Sequence, residues 1–158
     1  MFSVATPPGA ANPHCWHTET MRPTTPCPCG SDGPFGRCCL PLHLGERQAE
    51  TAEQLMRARY SAYAVDNLDY VWRTWHPRTR PEELTSDAGL TWTGLEIVDT
   101  VDGRRCDESG EVEFRAHYRK NRRSGQSAPA VARGTLHERS RFAVRARRWF
   151  YLDGELFT

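Results

Sequence analysis

The sequence predicts an α+β domain in which helices pack on one face of a curved antiparallel sheet, preceded by a small cysteine-rich knot. Three observations carry this. Apolar residues recur every three or four positions between residues 51 and 76, the period changes to two after Asp87, and four of the six cysteines fall between residues 27 and 39.

Residues 1–26 are rich in Pro, Ala and Thr, almost uncharged and without periodicity, and are expected to form a disordered arm. Met21 is a candidate true start, which would leave Cys15 outside any site. Residues 27–43, CPCGSDGPFGRCCLPLH, hold too little apolar material to fold by burial and need a staple. Residues 44–158 form the main domain. Thr51 with Gln54 three positions on is a capping box. Ala52, Leu55, Met56, Tyr60 and Tyr63 then share one helical face. A second helix is expected from Asn67 to His76, with Leu68, Val71, Trp72 and Trp75 on one face and Pro77 ending it. Pro81 followed by Glu82 and Glu83 suggests one more helical turn. Strands are expected over residues 90–101, 111–120, 135–145 and 148–152, with a long basic loop over 121–134 and a tight connection at 145–147.

The chain has 158 residues, 26% charged and 38% hydrophobic, with a net charge of +1. That suits one domain with a small appendage. No window reaches the roughly 18 apolar residues a membrane-spanning helix needs, and residues 1–20 lack a secretory signal pattern. A reducing cytoplasm is the expected setting, where thiols stay reduced or bind metal. The charge is unevenly spread. Residues 44–103 carry six arginines against eleven carboxylates, a balance of −5, whereas residues 104–148 carry thirteen basic residues against five acidic, a balance of +8. The second half can therefore offer a basic face to an anionic partner. All the basic residues except Lys120 are arginine, a bias that genome composition explains as readily as bidentate recognition does.

Cys27, Cys29, Cys38 and Cys39 give the spacing C-x-C-x8-C-C, with His43 four residues beyond. Thiolates so spaced, with Gly and Pro bends between them, can converge on one tetrahedral zinc. Four protein ligands close the shell, so the zinc would be structural. The fourth ligand is expected to be Cys39, with His43 as the alternative. Two disulfides are the competing reading, disfavoured in a cytosolic chain. Cys106 stands alone in a loop.

CPCGSDGPFGRCC resembles the SEC-C motif, the small zinc module named for the C-terminus of the SecA translocation motor. The runs LMRARYSAYAVDNLDYVWRTWHP, TLHERSRF and RRWFYLDG are similar to those of the bacterial YchJ-like family. The resemblance covers residues 22–155 and implies a SEC-C zinc module followed by a cone-shaped domain like nuclear transport factor 2. It implies a fold and no particular activity. The chain departs from the family pattern in having Asp32 and Gly33 where Gly and Lys are usual, in its longer 121–134 loop, and in lacking a second cysteine cluster after the sheet.

Strand alternation places Val112, Phe114, Ala116 and Tyr118 inward, and puts Glu138 and Ser140 on the same face as Leu136, Phe142 and Val144. Arg59 lies on the apolar face of the first helix. A carboxylate and a guanidinium inside one cone need partners, so an Arg59–Glu138 ion pair is expected. Arg59, Tyr63, His76, Glu138 and Ser140 are the candidate cavity lining, and His76 or Glu138 the candidate general base of a hydrolase- or isomerase-type enzyme. A purely structural pair, with His76 capping the helix before Pro77, explains the same residues and favours a chain that binds over one that catalyses. Trp72, Trp75, Trp92 and Trp149 are expected in the core.

Outward Arg115, Arg119, Arg139 and Arg141, with Lys120, Arg122, Arg123 and Arg133, could form a basic stripe for RNA or an acidic surface. The expected partners are therefore a protein or the ribosome at the knot and an anionic partner at Arg122, Arg123 and Arg133, with a homodimer through the sheet competing for that face. Knot and cone are expected to be separable, the cone staying folded without Cys27 and Cys29.

Overall fold

The computed structural model describes residues 22–121 and 131–158. Residues 1–21, which include Met21, Cys15 and most of the expected arm, lie outside the described residues, as do Arg122 and Arg123.

The knot begins earlier than its first cysteine. Pro23 and Thr25 accept backbone hydrogen bonds from Gly36 (2.8 Å) and Phe35 (2.8 Å), and Pro26 bridges Pro34. Residues 22–26, read from sequence as the end of the arm, are thus stitched to the knot. A 3-10 turn at Phe35–Arg37 and a short helix α1 (Leu40–His43) complete it.

Helix α2 (Ala52–Ala64) starts as its sequence dictates. Thr51 Oγ1 accepts from the Gln54 N–H at 3.0 Å, and Gln54 Oε1 reaches back to the Glu50 N–H at 2.7 Å, one residue before the cap. Thr51→Ala should cost ~1 kcal/mol in a denaturant titration, because it orphans a first-turn donor. Asn67 caps α3 (Leu68–Arg73) through the Tyr70 N–H. This helix ends three residues before the expected His76. Trp75 instead pairs in parallel with Tyr151, with His76 N–H donating to Tyr151 O and Tyr151 N–H to Thr74 O. Tertiary strand pairing overrides the helical period there. The helical turn expected at Pro81 is absent; residues 81–87 are irregular.

Four strands, β1 (Leu90–Asp102), β2 (Ser109–Asn121), β3 (Val131–Arg145) and β4 (Arg148–Leu156), form an antiparallel meander in the order β1-β2-β3-β4. All are longer than the sequence pattern indicates, because ladder pairing extends past the apolar stretch. The β3–β4 turn places Ala146 and Arg147 at φ 50° and 64°, left-handed values that suit the twist of a two-residue hairpin. Bulges at Trp92/Gly94, Ile97/Asp99 and Arg141/Phe142 bend the sheet. Helix α2 touches both edge strands, β1 and β4, so the sheet wraps around it.

The inward faces are those read from the alternation: Val112, Phe114, Ala116, Ser140 and Phe142 are each at most 4% exposed. Trp149 is buried and Trp75 and Trp92 pack against the core, but Trp72 is 38% exposed, with Arg80 stacked 4.0 Å over its ring. Gly110 and Gly103 lie back to back under Ala52, where a Cβ on Gly110 would overlap the Gly103 backbone. This close approach seats the start of α2 on the β1–β2 hairpin, with Ala52 N–H donating to Gly103 O at 2.9 Å.

Candidate metal centre and cone cavity

The four knot cysteines come together as their spacing requires. Their Sγ atoms all lie within 4.8 Å of one another, with Cys29–Cys38 at 3.5 Å and Cys38–Cys39 at 3.9 Å. A tetrahedral ZnS4 centre with ~2.3 Å bonds has sulfur–sulfur edges of about 3.8 Å. The cluster therefore has the dimensions of a single-metal site. Cys27, Cys29 and Cys39 are at most 5% exposed, and Cys38 is half-buried beside the Ser31 hydroxyl at 3.0 Å. All four are free thiols.

Crowding makes them electrostatically unequal. Hydrogen bonds from Cys27 and then Cys39 hold Cys29 far below the usual thiol value, and those same bonds push Cys27 and Cys39 up. One thiolate forms readily, and further ones repel it in a buried site. A divalent cation would relieve that repulsion, so the donor set fits a metal.

His43 is turned away to another task. Its Nε2–H donates to the Ala58 carbonyl at 2.8 Å and lies 3.1 Å from the Ser61 hydroxyl, while its ring packs between Phe35 (5.6 Å) and Tyr70 (4.7 Å). Burial, and secondarily Arg73, pull its pKa below the ordinary imidazole value. The fold favours its neutral form, whereas the unfolded chain protonates near the ordinary value of 6.5. Stability is therefore expected to fall as pH drops through and below that value, and His43→Gln should flatten that part of a pH–Tm curve.

The knot does not stand apart. Arg57 on α2 bonds the Cys29 carbonyl at 2.7 Å, Arg73 bonds the His43 carbonyl, and Cys27, Cys29, Phe35, Cys39 and Leu42 belong to the same core as Leu55, Val71 and Phe142. The expectation that the cone stays folded without Cys27 and Cys29 thus meets a shared apolar interior, which sequence spacing could not show.

A cavity of about 260 Å³ lies between α2 and the sheet. Arg59, Tyr63, Glu138 and Ser140 line it as expected, joined by Trp75 and Tyr151, which the sequence reading left out of the site. His76 does not line it. Its ring packs against Phe150 outside, and its Nδ1 accepts from the Arg78 N–H, so it is no base for this cavity. The Arg59–Glu138 ion pair is also absent. Arg59 donates from Nη1 to Val71 O (2.7 Å) and Thr74 Oγ1 (2.9 Å), and its guanidinium sits over the Tyr151 ring at 4.5 Å and the Trp75 ring at 5.3 Å. Backbone and aromatic partners take the place of the carboxylate, each ring contributing roughly 0.5–2 kcal/mol. Glu138 instead accepts from Ser140 (2.8 Å) and Tyr151 (3.0 Å) on a single oxygen, Oε1. Gly154 makes room for it, since a Cβ there would overlap the carboxylate.

The outer sheet face is less basic than its arginine count. Arg139 pairs with Asp99, Glu111 and Glu113, Arg141 with Asp153, Arg115 with Glu96, and Lys120 with Asp87. The stripe expected along the strands is thus largely neutralised by cross-strand carboxylates. Arg119 and Arg133 face each other at the end of the β2–β3 ladder, and both are exposed. Among the described residues, no helix is long and apolar enough to cross a membrane.

Comparison with known proteins agrees with this architecture. Residues 51–154 match the model of the YchJ middle NTF2-like domain, and residues 24–41 match the SEC-C motif. A UPF0225 protein of Streptomyces coelicolor is 48% identical over 84% of this chain and 97% of its own length. One from Deinococcus radiodurans is 45% identical over 83% and 89%. The solution structure of a SEC-C motif containing protein from Rhodopseudomonas palustris superimposes with a TM-score of 0.67 at 31% identity, covering 85% of this chain and all of that one. With the cysteine cluster and the meander wrapped on α2 already in place, these matches show that the chain belongs to the YchJ-like family, a SEC-C motif joined to an NTF2-like domain.

Proposed function

We propose that this chain is a non-catalytic binding protein whose knot holds one structural zinc on Cys27, Cys29, Cys38 and Cys39. The convergence of four sulfurs within 4.8 Å carries the reading. Four thiolates fill a tetrahedral shell and leave no position for an activated water, so the metal supplies folding energy and rigidity. A reducing cytoplasm keeps the thiols available for it. The rigid turn through Gly30, Ser31 and Asp32, with Arg37, stays on the surface and is the face offered to a protein or ribosomal partner. Arg119 and Arg133, paired near the end of the β2–β3 ladder, form a secondary contact for an anionic partner.

Elemental analysis of chain purified without added metal tests this. One zinc per chain is expected in the wild type and in His43→Gln, and none in Cys27→Ser or Cys38→Ser. A metal-free wild type with four reactive thiols would overturn it. For the partner face, Arg37→Glu should keep the zinc yet lose cosedimentation with ribosomes or cross-linking to a protein partner.

A further inference from the structure

The cavity is lined by a buried cation without an ion pair among the described residues. Arg59 is 4% exposed, and burial pulls its pKa below the ordinary guanidinium value. Its hydrogen bonds leave from Nη1, and among the described residues no carboxylate lies within 4.0 Å of it. Beside it, Trp75 Nε1 is the one buried side-chain polar atom, among the described residues, without a partner. Both residues line the same cavity, with the Arg59 guanidinium 5.3 Å from the Trp75 ring centroid. A buried cation that lines a cavity without an ion pair is what an anionic head group satisfies.

We propose that the cavity binds a small monocarboxylic acid with an apolar body, its carboxylate set against Arg59 and its body beside the Trp75 ring. Met56, Phe114 and Leu136 supply the apolar wall. A volume of about 260 Å³ exceeds the ~150 Å³ that houses a benzene ring, which sets the guest at about ten non-hydrogen atoms. Tyr63, one helical turn beyond Arg59 and 36% exposed, marks the mouth. Glu138 lines the cavity too, held by Ser140 and Tyr151, so the guest's single carboxylate belongs at the Arg59 end and a second one would meet repulsion. This fixes the class as monoacids and excludes diacids. The inference stands on the cavity alone and is independent of the zinc reading.

The test uses full-length, 15N-labelled chain as purified, titrated with benzoate, phenylacetate and hexanoate, with the matching amides and isophthalate as controls. The readout is the Trp75 indole N–H resonance, assigned with Trp75→Phe. At least one acid is expected to give a saturable shift, about 10-fold or more tighter than its amide, because the amide forfeits the charge-assisted bond. Isophthalate is expected not to bind. Arg59→Met should equalise acid and amide. Ala116→Leu, which fills the cavity while keeping Arg59 in place, should abolish the shift and keeps the proposal testable if Arg59→Met fails to fold. No saturable shift with any of the acids, equal affinity for acids and amides, or unchanged binding in folded Ala116→Leu would each overturn it.

Discussion

Cys29→Ser is expected to unfold the cone together with the knot. Cys29 is wholly buried, its carbonyl is tied to Arg57, and the knot's apolar residues continue the core of α2 and the sheet. Structural zinc supplies roughly 10 kcal/mol or more of folding free energy, as much as a whole domain commonly possesses. Loss of the proposed zinc cannot stay local when the core is shared. Circular dichroism and calorimetry should show a wild type with one cooperative transition, and a Cys29→Ser or chelator-treated chain with neither that transition nor its sheet signal. A variant that keeps a cooperative melt within a few degrees of wild type would restore the picture of an independent module.

Phe142→Ala should be the most damaging single change in the sheet, costing about 3–5 kcal/mol. Phe142 is 1% exposed, pairs with Gly110 on one side and Tyr151 on the other, and sits next to the Arg141 bulge, with its ring 5.8 Å from that of Tyr151. Glycine opposite it offers no side chain to collapse into the space. A urea titration should show a lower midpoint with an unchanged slope. A loss below about 1 kcal/mol would mean that the site collapses freely.

Local signals made much of this molecule readable. Thr51 and Asn67 cap their helices, the β2 and β3 faces follow the alternation, and the cysteine spacing closes on itself. What escaped depends on partners distant in sequence. Nothing local to Trp75 announces its bridge to Tyr151, which shortens α3 and completes the cavity. Arg59 is held by Val71, Thr74 and two rings without an ion pair, an arrangement invisible to a rule that matches cations with carboxylates. The arginines of β3 look like a free basic stripe until the β1 bulge brings Asp99 opposite Glu113 and within 3.0 Å of Arg139. The strand expected to end at residue 152 runs on through Asp153 and Gly154, where the missing side chain leaves space for Glu138.

The meander order also dictates how the molecule can be assembled. Each strand pairs with the one synthesised just before it, so every ladder joins neighbours along the chain and little chain entropy is lost at each step. The two-residue connection between β3 and β4 makes the last ladder the cheapest to close. Tyr151 lies on that last strand and is both a cavity wall and the partner of Trp75, far back in the chain. The cavity thus comes into existence only when the C-terminal strand is laid down. A polypeptide truncated before it would hold the knot and the helices but have no chamber in which to receive a guest.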